Sequence, residues 1–162
     1  MARLTSALAV LALAWAAAAA DVTAQTVTAI RAGRLVDVVR GQVLRNHVIL
    51  VRGERIEAVQ GGTAHIPAGA RVIDLSRHTV LPGLIDCHSH LVGEVLAASM
   101  LQPLERSEAQ EALSGVKNAR ATLLAGFTTV RDIGTYRAFV DAALRDAIND
   151  GTVAGPRMAV AG

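Results

Sequence analysis

The spacing of apolar positions changes along this chain, and each change marks a different kind of segment. Residues 7–20 form an unbroken apolar run behind a single charge, Arg3, and small residues follow before and after Asp21. That is the anatomy of a secretory signal peptide over residues 1–20, with cleavage expected after Ala20 or Ala24. The run is shorter than the ~20 apolar residues of a spanning helix, so no stable membrane anchor is expected. Export to a periplasmic or extracellular space follows from the leader.

From residue 27 to about residue 75 the chain is rich in Val, Ile and Arg and is punctuated by Gly33, Gly41, Gly53, Gly61, Gly62 and Gly69. Short runs between turn residues predict a small β domain. Its clearest unit is His47-Val48-Ile49-Leu50-Val51-Arg52, then Gly53-Glu54, then Arg55-Ile56-Glu57-Ala58-Val59, the layout of a hairpin with a two-residue turn. Arg55 to Ala58 alternates polar and apolar, as a half-buried strand should. His47, His65 and His78 occur singly here, without a partner at ligand spacing, and are read as ordinary histidines.

Beyond His90 the period becomes helical. Ser107 and Gln110 form a capping box, after which Ala109, Ala112, Leu113, Val116, Leu123 and Leu124 recur on one predicted helix face until Gly126. Phe127 to Asp132 is short and β-branched, which predicts a buried strand. Phe139, Val140, Ala143, Leu144, Ala147 and Ile148 then define a second helical stripe closed by Gly151, and Arg157 to Ala161 begins a further strand. Strands alternating with helices of ordinary length predict parallel βαβ units, in an open sheet or in a barrel. No internal repeat interrupts this order.

Charge and cysteine content narrow the function classes. The 162 residues carry 16 basic and 14 acidic side chains; removing the leader takes one arginine, leaving a balance near neutrality with scattered arginines and Lys117 as the only lysine. Nothing in that distribution favours nucleic acid. Cys87 is the only cysteine, so no internal disulfide forms, and its strand position predicts burial.

The candidate chemistry lies in Leu81-Pro82-Gly83-Leu84-Ile85-Asp86-Cys87-His88-Ser89-His90-Leu91. On a strand, Asp86, His88 and His90 share one face, and Cys87, Ser89 and Leu91 share the other. Two imidazoles at that spacing are half of a divalent-metal site, since a catalytic zinc takes three or more protein ligands. Asp86 is either an acceptor that orients a metal-binding imidazole without touching the ion or a structural carboxylate at the strand end. Asp132 ends the next predicted strand and is a candidate for lining the site; pairing with Arg131 or a helix N-terminus is the alternative.

The run from Val80 to Leu91 resembles the first barrel strand of the amidohydrolase superfamily of metal-dependent hydrolases. Leu123 to Asp132, Leu144 to Ile148 and Gly155-Pro156-Arg157 resemble its imidazolonepropionase-like and Xaa-Pro dipeptidase (prolidase) branch. The resemblance implies an α/β chain: residues 25–80 as the N-terminal part of a composite β-sandwich, and residues 81–162 as the first three strands of a (β/α)₈ TIM barrel. It also implies one or two divalent metals, usually zinc, held in part by His88 and His90. Metal-activated water would hydrolyse an amide bond of a small molecule or dipeptide. Prolidase-like dipeptides are the expected substrates, with cyclic amides next and a non-catalytic binding module as a further reading.

The superfamily's carboxylated lysine, two further histidines and general-base aspartate belong to later barrel strands. This chain has no histidine after His90, and Lys117 falls midway along a predicted helix. A barrel typically needs ~250 residues, so the expectation is an incomplete barrel: an N-terminal fragment, inactive alone, of a protein for which an oligomer is compatible.

Overall fold

The computed structural model describes residues 26–93 and 101–162. The expected signal peptide, residues 1–20 with cleavage at Ala20 or Ala24, lies outside the described residues. The chain divides into two units that meet at Leu81 and Pro82.

In the first unit, β1 (Val27–Asp37), β2 (Gln42–Arg52), β3 (Arg55–Gly61) and β4 (Arg71–Val80) form one sheet in the order β3-β2-β1-β4. Strand β1 runs antiparallel to β2, from Val27 opposite Arg52 to Asp37 opposite Gln42, and parallel to β4. The hairpin forms as the sequence predicts, with Arg52 opposite Arg55 across Gly53-Glu54. Val48, Ile49 and Leu50 are all buried because successive side chains enter different clusters: Val48 and Leu50 join Val27 and Ala29, whereas Ile49 joins Ala32 and Leu35.

The expected alternation in β3 is only partly realised. Leu50 pairs with Ala58 and Val51 with Ile56, so Glu57 is an extra residue in the ladder, and Ile56 is exposed. A bulge of this kind breaks the inward–outward alternation of an edge strand.

The second unit contains β5 (Leu84–Ser89), α1 (Gln102–Glu105), α2 (Glu108–Leu124), β6 (Phe127–Asp132), α3 (Val140–Asn149) and β7 (Arg157–Ala159). Its three strands are parallel in the order β5-β6-β7. Helix α2 begins at the predicted capping box: Ser107 Oγ accepts from the Gln110 amide, and the Gln110 side chain accepts from the Ser107 amide. Ahead of β5, a Cβ on Gly83 would overlap Thr128 Oγ1 and Cγ2. Glycine at this point lets the start of β5 lie against β6, where the Leu84 amide donates to the Gly126 carbonyl at 2.9 Å.

The core gathers Leu91, Val92, Ala119, Val130, Val140, Leu144 and Met158. It bears out part of the helix faces expected from periodicity, since Ala112 and Val116 on α2 and Val140, Leu144 and Ile148 on α3 pack here, and corrects the rest. Leu113 and Leu124 are exposed, and α2 buries Glu111, Ser114, Gly115 and Ala119 instead. Small residues win that face because a Cβ on Gly115 would come within 3.0 Å of Leu144 and 3.3 Å of Val92. Phe139 is likewise exposed and precedes α3 rather than joining its buried stripe. Cys87, expected to be buried, is exposed; Ile85 on the same face of β5 is exposed too.

Candidate metal centre

Strand β5 ends at Ser89, so His88 is its penultimate residue and His90 follows it directly. Both imidazoles are exposed, with ring centroids 5.9 Å apart and planes inclined by 73°. One ion bound at about 2.0–2.1 Å by a nitrogen of each ring keeps the centroids roughly 5 Å apart, so the pair fits a shared ion after a small rotation. His90 Nδ1 lies 2.8 Å from the Gly134 carbonyl. A carbonyl only accepts, so Nδ1 carries the proton and Nε2 of the neutral ring keeps a lone pair. This is the arrangement of a metal-binding histidine whose other nitrogen is held by a backbone acceptor.

Asp86 does not reach an imidazole. Its Oδ1 accepts from the backbone amide of His88 at 3.0 Å, a local contact two residues along the chain, so it fixes the main chain that carries the ring. Asp132 departs further from expectation. It is buried at 1% exposure, with Oδ2 accepting from the Leu91 amide at 2.7 Å and Oδ1 from the Gly134 amide at 3.1 Å. Its oxygens meet these amides rather than Arg131 or a helix N-terminus, because a carboxylate at the end of β6 faces the loops leaving both β5 and β6.

The segment after His90 is gripped from α2 as well. Asn118 Nδ2 donates to the carbonyls of Leu91 at 2.9 Å and Gly93 at 3.0 Å, and Ser114 Oγ accepts from the Gly93 amide at 3.1 Å. Ser114 in turn donates to the Glu111 carbonyl. Sequence reasoning missed Ser114 and Asn118, although two polar residues four apart within a helical stripe were a signal that one helix face meets backbone. Among the described residues, no group of three or more His, Cys, Asp or Glu could hold an ion; His88 and His90 lie near one another as a pair. Lys117 is exposed on α2. In the first unit, His78 lines a separate cavity of about 390 Å³ with Arg34, Arg45 and Arg77, a basic lining unsuited to a cation.

The model of the Amidohydrolase family matches residues 79–162, more than half of the chain. The chain belongs to that family. Amidohydrolase relatives imply a TIM-barrel-type fold, with which the parallel β5-β6-β7 arrangement agrees. The solved structure of a Xaa-Pro dipeptidase with methionine bound in its active site is 36% identical, with a TM-score of 0.74 over 85% of this chain and 33% of that one. Ochratoxinase of Aspergillus niger is 34% identical over 144 residues, 82% of this chain and 27% of the relative. Imidazolonepropionase of Klebsiella pneumoniae (strain 342) is 52% identical over 50 residues, 31% of this chain and 12% of the relative. The chain thus spans a third or less of the length of these amidohydrolases.

Proposed function

We propose that this chain contributes the first two metal ligands, His88 and His90, to an exported amidohydrolase that cleaves amide bonds of small molecules. Strands β5 to β7 would be the first three of its barrel. The observation that carries this reading is the His90 Nδ1 contact with Gly134, which leaves Nε2 as the lone-pair nitrogen of a ring whose centroid lies 5.9 Å from that of His88. A divalent ion held there, zinc in our reading, supplies the Lewis acidity that brings the pKa of water towards ~7 and polarises a carbonyl. His88 and His90 would hold that ion through ring nitrogens; Asp86 keeps the main chain of His88 in place, and Asn118 and Ser114 hold the turn that follows His90. The remaining ligands and the general base would come from other barrel strands.

The substrate class we propose is a dipeptide of the prolidase kind, supported by the likeness to a Xaa-Pro dipeptidase over most of this chain. A second reading, hydrolysis of a cyclic amide, is favoured by the higher identity to imidazolonepropionase over a shorter stretch. The test uses the whole protein, assayed against Xaa-Pro dipeptides and lactams before and after chelation, with metal content measured in parallel. Dipeptide cleavage that chelator abolishes and zinc restores is expected. Lactam turnover alone selects the second reading, and chelator-insensitive hydrolysis of either sinks the metal assignment.

A further inference from the structure

We propose that Asp132 is the positioning residue that sets the tautomer and aim of His90, acting through Gly134. The inference rests on reading His90 as a metal ligand, but its geometry stands in the protein without metal. One buried carboxylate joins two loops: Oδ2 receives the amide of Leu91, the residue after His90, and Oδ1 receives the amide of Gly134. The carbonyl of that same Gly134 meets His90 Nδ1 at 2.8 Å. The chain of contacts therefore closes on itself, from His90 through Leu91, Asp132 and Gly134 back to the His90 ring.

Every link has a fixed direction. The two amides only donate, the ionised carboxylate only accepts, and the Gly134 carbonyl only accepts. The arrangement has a single consistent proton placement, with His90 protonated on Nδ1. Gly134 presents its amide to Asp132 and its carbonyl to His90 at a φ of +125°, a conformation L side chains rarely adopt. Around this ring the backbone has little freedom, because the Ile133 amide also donates to the Ser89 carbonyl at 3.0 Å. Asp132 thus acts on the metal site without touching metal, by holding the acceptor against which His90 is oriented.

The test measures the ¹⁵N shifts of His90 in the whole protein labelled at histidine, freed of metal and held at mildly alkaline pH. Wild-type protein is expected to show Nδ1 protonated. Asp132→Asn keeps the shape but turns an NH₂ group towards one of the two amides, and should shift population to the Nε2-protonated form. Gly134→Ala leaves Asp132 intact and should do the same by moving the carbonyl. Competition with a chromophoric chelator should show zinc affinity falling about 10–100-fold in both variants, while circular dichroism stays native. A wild-type His90 protonated on Nε2 overturns the proposal without any variant, as does a folded Asp132→Asn protein with the wild-type tautomer and affinity. His88→Ala and His90→Ala test the ligand reading separately: unchanged zinc affinity there removes the metal assignment but leaves the tautomer result standing.

Discussion

The side-chain amide of Asn118, in the middle of α2, donates to the carbonyl of Leu91 at 2.9 Å and at the same time to that of Gly93 at 3.0 Å. A helix side chain therefore supports the turn that carries His90 away from the strand. Asn118→Ala leaves two partly buried carbonyls without that donor, which costs about 1–3 kcal/mol. Urea denaturation of the whole protein should show that loss. Asn118→Asp, which has no N–H to give and sets a carboxylate against two carbonyls, should be no better than alanine. A stable aspartate variant would mean that the amide's donors do not matter.

Gly83 makes a sharper steric prediction. A methyl group there would overlap the side chain of Thr128, so Gly83→Ala should destabilise by about 1–3 kcal/mol, the range for overpacking. Because the nearest atoms are Thr128 Oγ1 and Cγ2, adding Thr128→Ala should recover part of the loss. Strict additivity of the two single-variant effects, measured from denaturation midpoints, would place the cost elsewhere.

What could be read from the sequence was local. The Gly53-Glu54 hairpin, the Ser107–Gln110 box and the strand from Phe127 to Asp132 each carry their signal within a few residues, and each forms where expected. That the rings of His88 and His90 lie near one another was legible for the same reason. Partnerships across long separations were not. Asp132 meets Leu91 across 41 residues, and nothing in its neighbours distinguishes that role from lining the site. The face of α2 was legible only in part: Ala112 and Val116 pack against the core, but Leu113 and Leu124 obey helical spacing and are exposed, because burial is decided by what approaches the helix. At residue 115, Leu144 and Val92 come so close that glycine fits where a larger side chain would not.

Acid should weaken the first unit through two strand carboxylates, Asp37 at the end of β1 and Asp74 within β4. The backbone amide of Arg40, with its guanidinium second, holds Asp37 below the ordinary carboxylate range, and the amide of Ser76 does the same for Asp74. A folded pKa below the unfolded value of about 3.9 means that the unfolded chain takes up the proton first as pH falls. The stabilisation is thus complete above that value and is lost as pH drops through the folded pKa values. Denaturant midpoints recorded from about pH 6 down to about pH 2 should fall for wild type, and less steeply for the Asp37→Asn/Asp74→Asn double variant. Identical slopes would exclude these two groups as the source.

Phe139 offers a case in which glycine should stabilise. It occupies the N-cap of α3 at a φ of +65°, in the left-handed region, and makes no side-chain capping bond; the residue is 70% exposed. A bulky L residue is strained there by about 1–2 kcal/mol, and an exposed ring offers little burial to offset it. Removing the ring alone, with Phe139→Ala, keeps the Cβ and most of the strain. Phe139→Gly removes both, so it should be more stable than Phe139→Ala by about 1 kcal/mol in urea denaturation. In a helix interior the order is the reverse, since glycine there is about 1 kcal/mol worse than alanine. The sign of the Gly–Ala difference therefore reports the backbone conformation directly, and an alanine variant more stable than the glycine one would show that residue 139 is not held left-handed in solution.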